Sequence, residues 1–405
     1  MRERILIACV LLLLALPALA AKRSSYDVDY LVEFLPAEKV AAVTISVRPG
    51  TGMANSFDFR MDPRRYTQIE GDGTVERDGD RLLWDPPATG GELRYRYRID
   101  KRRRGGGYDA RITEHWTIVR GDHLIPSAVV RTTPGADSRA RLRFKLPEGW
   151  SVDTPWKLAS DGKSYVIVNP ERRFDRPTGW MIAGDIGIRR EQLDGMEVAV
   201  AAPRGEAMRR NEVLAMVHVS YPELQAAFGK LPSKILIVGA GDPMWRGGLS
   251  GPRSLYMHAA RPLISENGTS TLMHELVHVI TRIQGTHEPW IAEGIAEYYS
   301  LSLLYRSALI SEARYQRGLE WMRNHGRSVR TLRGVRSHGP VTARAVTLFA
   351  ELDAEIRERS GGERDLDDVV QALMKIRRPT LEDLRRAAED AIGAPSKTLQ
   401  SRVLD

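Results

Sequence analysis

The sequence predicts a multidomain α+β protein: an N-terminal all-β, sandwich-like domain, then a mixed α/β domain, then a C-terminal helical region. Three observations carry this reading. From about Tyr26 to Ile188 apolar and polar residues alternate in short runs between turn signals; near Gly195 the pattern becomes strand, helix, strand; beyond Ser300 the spacing turns helical. The expected division is 1–20 as a signal peptide, 21–190 as the β domain, 191–300 as the α/β domain and 301–405 as helices.

The opening residues have the three parts of a secretory signal. Arg2 and Arg4 form a basic start, Ile5 to Leu16 an apolar run too short to span a bilayer, and Ala18-Leu-Ala20 a small-residue cleavage site. Export to a periplasmic or secreted location is expected, with the mature chain starting near Ala21. The single cysteine, Cys9, lies inside the apolar run, which argues against lipid attachment. A mature chain without cysteine excludes disulfides, thiolate metal ligands and a cysteine nucleophile. No second stretch is long and apolar enough for a transmembrane segment. The net charge of +8 falls to +7 when the signal, with two arginines and one glutamate, is removed. Its basic residues are mostly interleaved with acids, and no motif supports nucleic-acid binding.

In the β region the runs Val40–Val47, Leu93–Ile99, Ala110–Val119, Ala140–Phe144 and Tyr165–Val168 read as strands, separated by turn signals such as Pro49-Gly50 and Pro134-Gly135. Lys101-Arg-Arg-Arg104 before Gly105-Gly-Gly107 reads as a hairpin tip; contact with an anionic envelope surface is the alternative and needs a wider patch. His115 and His123 are isolated, as surface or packing residues are. This half shows no chemistry.

The α/β domain begins with a strand at Met196–Ala201, a helix at Asn211–Phe228 and a strand at Lys234–Val238. A Gly-rich loop, Arg246-Gly-Gly-Leu-Ser-Gly251, leads into Ser254–His258, expected to form the edge of a cleft and to pair with an extended peptide. His258 within it is expected to be structural. Asn267-Gly-Thr269 matches a glycosylation acceptor and equally a loop before a helix, with Thr269 or Ser270 as N-cap.

The chemistry lies in Thr271 to Ser300. His274 and His278, four apart on an apolar helical segment, project from one face about one turn apart, where one metal ion can take both. A zinc ion held by two histidines needs a third ligand and an open position for water, and Glu275 is placed to take that water's proton. Past the Gly285 break, Trp290–Tyr298 is a second helix with Glu293 and Glu297 on one face. Glu293 is the candidate third ligand. Glu297, one turn on, can accept the free ring N–H of a ligand histidine and fix its tautomer. Helices are expected at Leu301–Asn324, Ala343–Arg359, Leu366–Ile376 and Thr380–Ala391, broken at Gly339-Pro340, Gly361-Gly362 and Pro379.

His274-Glu-Leu-Val-His278 followed by Trp290-Ile-Ala-Glu293-Gly294 resembles the thermolysin-like gluzincin metallopeptidases, and within them is most similar to the glycyl aminopeptidase family, related to the membrane-alanyl aminopeptidases. Tyr298–Ser311 with Tyr315, Leu352-Asp-Ala-Glu-Ile-Arg357 and Leu366-Asp-Asp-Val-Val370 resemble that family's later helices. The resemblance covers about Gly195 to Ala391. It implies a thermolysin-like catalytic domain, one zinc per chain on His274, His278 and Glu293, Glu275 as general base and proton shuttle, and a peptide or protein substrate. Three departures stand out. Gly247-Gly-Leu-Ser250-Gly251 lacks the carboxylate with which aminopeptidases of the family hold the substrate's free amine, which leaves endopeptidase and aminopeptidase both open. Val341 and Thr342 replace a tyrosine pair suited to oxyanion stabilisation, with His338, Tyr298 or Tyr299 as substitutes. The PDZ domain that many relatives append has no counterpart. The expected function is therefore an exported zinc metallopeptidase; the alternative is a catalytically impaired, peptidase-like binding or assembly protein of the cell envelope.

Overall fold

Period-two alternation builds the N-terminal half. In the computed structural model, which describes residues 24–169 and 174–405, the strand Ser25–Leu35 buries Tyr26, Val28, Tyr30, Val32 and Phe34 and turns the residues between them outward. The expected signal segment Met1–Ala20, with Cys9, lies outside the described residues. This strand is central in a seven-stranded sheet, antiparallel to Val40–Pro49 and parallel to Asp137–Lys145. A four-stranded sheet built on Ala54–Arg60 and Arg81–Asp85 turns Phe57, Phe59 and Trp84 into the same apolar core, with the Phe57 and Trp84 rings 5.2 Å apart.

A third sheet carries Lys101–Arg102, Tyr108–Ile112, Trp116–Arg120, Ser151–Asp153 and Trp180–Gly184. The single strand expected over Ala110–Val119 is thus two. The Thr113 hydroxyl accepts the N–H groups of His115 (3.2 Å) and Trp116 (3.0 Å), and this side-chain turn folds the chain back. Lys101–Gly107 is a hairpin tip, with Lys101 and Arg103 paired to Asp109. His123 is half-buried, and burial lowers its imidazole to about 4, so it is neutral at ordinary pH.

The second half is built on a five-stranded mixed sheet in the order Ile186–Leu193, Met196–Pro203, Lys234–Ala240, Ser254–His258, Gly248–Gly251. The three middle strands run parallel, and the helix Arg210–Phe228 makes the crossover between the first two of them. Lys234–Ala240 is buried at every position because both faces are covered. Ile235 and Ile237 face the helical core, while Leu236, Val238 and Ala240 face Trp116, Ile118, Trp180 and Ile182 of the β half. The two halves therefore share an apolar layer, and the hairpin Ile186–Pro203 leads directly from one into the other.

Helices close the structure: Thr271–Thr281, Pro289–Arg306, Glu312–Gly326, Pro340–Arg359, Leu366–Ile376 and Leu381–Ile392. The helix expected at Leu301–Asn324 is broken after Arg306, where Ala308 takes a left-handed φ of 56° and Ser311 caps the next helix by accepting the Arg314 N–H. Among the described residues no helix is long and apolar enough to cross a membrane.

A buried ion cluster also ties the halves together. Lys234, 6% exposed, donates to Asp153 of the third sheet (3.2 Å) and pairs with Glu197 (3.3 Å), while Arg190 takes the other Asp153 oxygen at 2.6 Å. Removing one partner of a buried pair leaves a desolvated charge behind, at roughly 3–5 kcal/mol when nothing else compensates. Because Arg190 still reaches Asp153, Lys234→Met should cost less, about 2 kcal/mol in chemical denaturation, and adding Asp153→Leu should restore part of it.

Candidate metal centre

The helix Thr271–Thr281 starts where Ser270, rather than Thr269, accepts the Met273 N–H (3.3 Å). Asn267 meanwhile orders the preceding turn, accepting from the Thr269 hydroxyl at 3.0 Å. Leu272, Met273, Leu276, Val277 and Ile280 are buried in the helical core, and this fixes the rotation of the helix about its axis. His274 and His278 are thereby turned to the cleft side. The helix ends at Arg282, in the left-handed region at φ 56°, whose N–H bonds to the His278 carbonyl.

Pro289 opens the second site helix at a position where a missing N–H costs nothing. Gly294 is needed there: a Cβ would lie 2.7 Å from the Ala345 Cβ and 2.8 Å from the Phe349 ring, so this helix could not seat against Pro340–Arg359. Seated so, it presents Glu293 and Glu297 to the histidines.

The structure brings His274, His278 and Glu293 together, with one potential ligand atom of each within 4.8 Å of the others. The two Nε2 atoms are 3.1 Å apart, and the Glu293 oxygens lie 3.4 Å from His274 Nε2 and 3.6 Å from His278 Nε2. Ligands at the ~2.0–2.1 Å bond lengths of tetrahedral zinc are separated by ~3.3 Å, so the two Nε2 atoms and the Glu293 carboxylate, which offers a different oxygen to each, have spacings suited to one such ion. Glu297 Oε2 lies 2.7 Å from His274 Nδ1, placed to accept its N–H; in the metal-free protein Nε2 is protonated toward Glu293, and a metal ion taking that proton's place would meet the Nε2 lone pair. The Ser300 hydroxyl in turn lies 3.5 Å from the same Glu297 oxygen.

Glu275 is 8% exposed and lies at the start of the same helix. Burial raises its carboxyl above the ordinary value, against the lowering effects of His274, His278 and a hydrogen bond from Ser250. Across from it stands Gly248, where a Cβ would fall 2.6 Å from Thr271 Cγ2 and 2.7 Å from Glu275 Cγ. Only glycine lets the strand approach this carboxylate so closely.

The edge of the cleft is not Ser254–His258. Gly248–Gly251, within the segment read from sequence as a Gly-rich loop, pairs antiparallel outside it and is the outermost strand. Four residues with two glycines carry too little periodicity to be read as a strand. His258 is buried in the covered strand, its Nδ1 accepting the Ala260 N–H and its backbone N–H bonding to Gly247, as a structural residue would. The tyrosines weighed for an oxyanion role face inward instead: Tyr298 donates to Asp353 (3.1 Å) and Tyr299 to Asp367 (2.6 Å). Arg120 and Trp180 of the β half reach the edge strand, donating to the carbonyls of Ser250 (3.2 Å) and Leu249 (2.8 Å). No sequence pattern announced either contact.

No family model and no curated protein matches the chain by sequence. Solved structures match it by shape. An aminopeptidase N family protein from Idiomarina loihiensis superposes with a TM-score of 0.65 at 13% identity, covering 86% of this chain and 70% of that one. A mutant M1 zinc metallopeptidase from Deinococcus radiodurans, bound to a Tyr-Ser-Ala substrate, gives 0.56 at 16% identity and 94% of each chain. The chain has the M1 zinc metallopeptidase fold. Legionella pneumophila aminopeptidase A in complex with aspartic acid gives 0.52 at 11% identity, over 95% of this chain and 50% of that one. At these identities the likeness is one of fold.

The charge balance gives a test on chelator-stripped protein. Burial disfavours charged His274, but hydrogen bonds to Glu293 and Glu297 outweigh it and raise the imidazole from 6.5 to about 10. A raised folded pKa stabilises fully below the unfolded value and loses that stabilisation as pH rises through the folded one. The melting temperature of stripped protein should therefore fall as pH rises from about 6.5 to about 10, and Glu297→Gln should flatten that fall.

Proposed function

We propose that the chain is a zinc-dependent peptidase, with His274, His278 and Glu293 holding one zinc ion, Glu275 as general base and proton carrier, and Glu297 as the residue that orients His274. The observation that carries this is Glu275. A structural zinc site is closed by its ligands and has no use for a buried carboxylate beside an open side of the ion. When bound, zinc supplies a Lewis acid for the scissile carbonyl and acidifies water at the open position.

The chain's own residues do the rest. Glu275 takes the proton from the attacking water and returns it to the leaving amine, a role that burial favours by bringing its basicity up. Glu297 keeps the His274 proton on Nδ1. The edge strand Gly248–Gly251 offers backbone groups against which an extended peptide can lie. Ser250 at the amine-anchor position favours endopeptidase action, or a looser hold on the amine, over strict aminopeptidase action. The first 20 residues support work outside the cytoplasm.

The second reading, a peptidase-like binding protein, is favoured by one observation. Tyr298 and Tyr299 are tied to Asp353 and Asp367 and cannot turn to a developing oxyanion without breaking buried hydrogen bonds. Unstructured proteins and N-blocked peptides separate the two readings: cleavage supports the endopeptidase, and specific binding without cleavage supports the binder. Elemental analysis of purified protein should give about one zinc per chain, lost or much weakened in Glu293→Ala. Glu275→Gln should keep the zinc while lowering hydrolysis by roughly 10²–10⁴-fold. Full activity in that variant would sink the assignment.

A further inference from the structure

A cleft of about 420 Å³ opens beside the metal centre, with His274, Glu275 and Glu297 in its lining. The rest of the lining comes from two segments: residues 245–248, which lead into the edge strand, and residues 261–271, which lead into the His-bearing helix. Among the described residues the indole of Trp245 is the one large apolar group there, and the remainder is polar or glycine. Ligand pockets are ordinarily apolar with a few polar groups that fix orientation. Here the polar groups dominate, and those left without partners are N–H donors.

The Trp245 ring is pinned. Arg103 of the β half lies 3.8 Å over it, a Cβ at Gly247 would fall 2.2 Å from its Cη2, and the Trp245 backbone N–H bonds to the Tyr108 carbonyl at 3.0 Å. Among the described residues its indole N–H has no acceptor. Asn267 turns its side-chain oxygen to Thr269, accepting the backbone N–H at 3.3 Å and the hydroxyl at 3.0 Å. A backbone N–H can only donate, so the oxygen is fixed on that side and the amide N–H groups are left without a partner among the described residues. Arg246 is held by Asp242 through Nε at 2.8 Å, whereas Arg261 is exposed and has no acidic partner among the described residues. Of the two carboxylates in the lining, Glu297 is occupied by His274, and Glu275 is the general base of the proposed reaction.

Three donors from separate parts of the lining thus share one cleft with the general base. An apolar side chain placed among them would strip their water and return nothing, at the cost of unsatisfied N–H groups. A planar group with acceptor oxygens answers them, and the flat guanidinium and amide suit it in shape. We infer that this cleft is the subsite for a substrate side chain that ends in a carboxamide or a carboxylate, with Arg261, Asn267 and Trp245 as the residues that set this specificity. The identity of the ligand as a peptide rests on the peptidase reading; the donor chemistry of the cleft does not.

The test is equilibrium binding, by fluorescence anisotropy, of labelled N-blocked peptides to the full zinc-loaded chain carrying Glu275→Gln. One position of an otherwise Gly/Ala sequence carries Gln, Glu or norleucine, the last being of similar length without an acceptor. The Gln or the Glu peptide should bind roughly tenfold more tightly than the norleucine peptide, as two or three hydrogen bonds would require. Arg261→Met, Asn267→Asp and Trp245→Phe each remove one donor and should each shrink that preference. Asn267→Asp, which keeps an oxygen on Thr269, should do so most for Glu. Arg261 is exposed and Phe retains an aromatic ring under Arg103, so Arg261→Met and Trp245→Phe should keep the wild-type melting temperature. Tighter binding of Glu than of Gln assigns the subsite to carboxylates, and tighter binding of Gln assigns it to carboxamides. Norleucine bound as well as both, or a preference untouched by all three variants, overturns the inference. If wild-type protein cleaves the three peptides with equal kcat/KM, the peptidase reading stands and the subsite falls. If it cleaves none, while the preference persists and the variants abolish it, the subsite stands and the peptidase reading falls.

Discussion

The site depends on how closely two buried helices approach each other. Three donor atoms can meet within one ion's coordination distance only if Thr271–Thr281 and Pro289–Arg306 are held by packing on the sides away from the cleft. The first is held by its apolar face. The second is apolar almost all round and is held by Gly294 against Ala345 and Phe349. A close-packed interior transmits any added methyl group to its neighbours, so the absence of one side chain at position 294 helps set the distance from Glu293 to two histidines on another helix.

Charge is then arranged within that fixed geometry. Two imidazoles and three carboxylates share a small, half-buried space, an arrangement that costs free energy unless each group has a partner. Glu297 and Glu293 are partnered through the histidines, and Glu293 is held well below its usual value mainly by those hydrogen bonds working against burial. Glu275 alone is pushed the other way. Environments that drive neighbouring carboxylates apart are what separates a group that binds from a group that exchanges a proton.

Legibility in the sequence followed the length scale of the interaction. The spacings His274–His278 and Glu293–Glu297 are set within single helices, and helical periodicity makes them visible without any tertiary knowledge. Leu366–Ile376 and Ser254–His258 were likewise visible, the first through its helical spacing after the Gly361-Gly362 break, the second through alternation. What escaped depends on side chains acting on the backbone or on distant contacts. Thr113 splits one apparent strand with its hydroxyl, and Ser311 with the left-handed Ala308 splits one apparent helix. The outermost strand escaped because Gly248 permits a close approach to Glu275 and Gly251 one to Trp180, which only the folded sheet reveals. The contacts of Arg120 and Trp180 with the edge strand escaped because they join residues 130 and 69 positions apart and form only across the interface of the two halves.

That interface also changes the meaning of the β half, in which the sequence shows no chemistry. Trp180 supplies a hydrogen bond to the Leu249 carbonyl, its backbone N–H bonds to the Ser254 hydroxyl at 2.7 Å, and Arg120 holds the Ser250 carbonyl. At the other end of the rim, Tyr108 exchanges backbone hydrogen bonds with Pro243 and Trp245, and Arg103 lies 3.8 Å over the Trp245 ring. A four-residue, glycine-rich edge strand has little intrinsic rigidity, and a strand with one free side has partners on the other side only. Its position relative to Glu275 is thus fixed from outside the α/β domain, by aromatic and guanidinium groups of the β half. Residues that never touch the histidines decide where an extended chain can lie beside them, and on this reading the N-terminal half is part of the cleft's construction rather than an appendage to it.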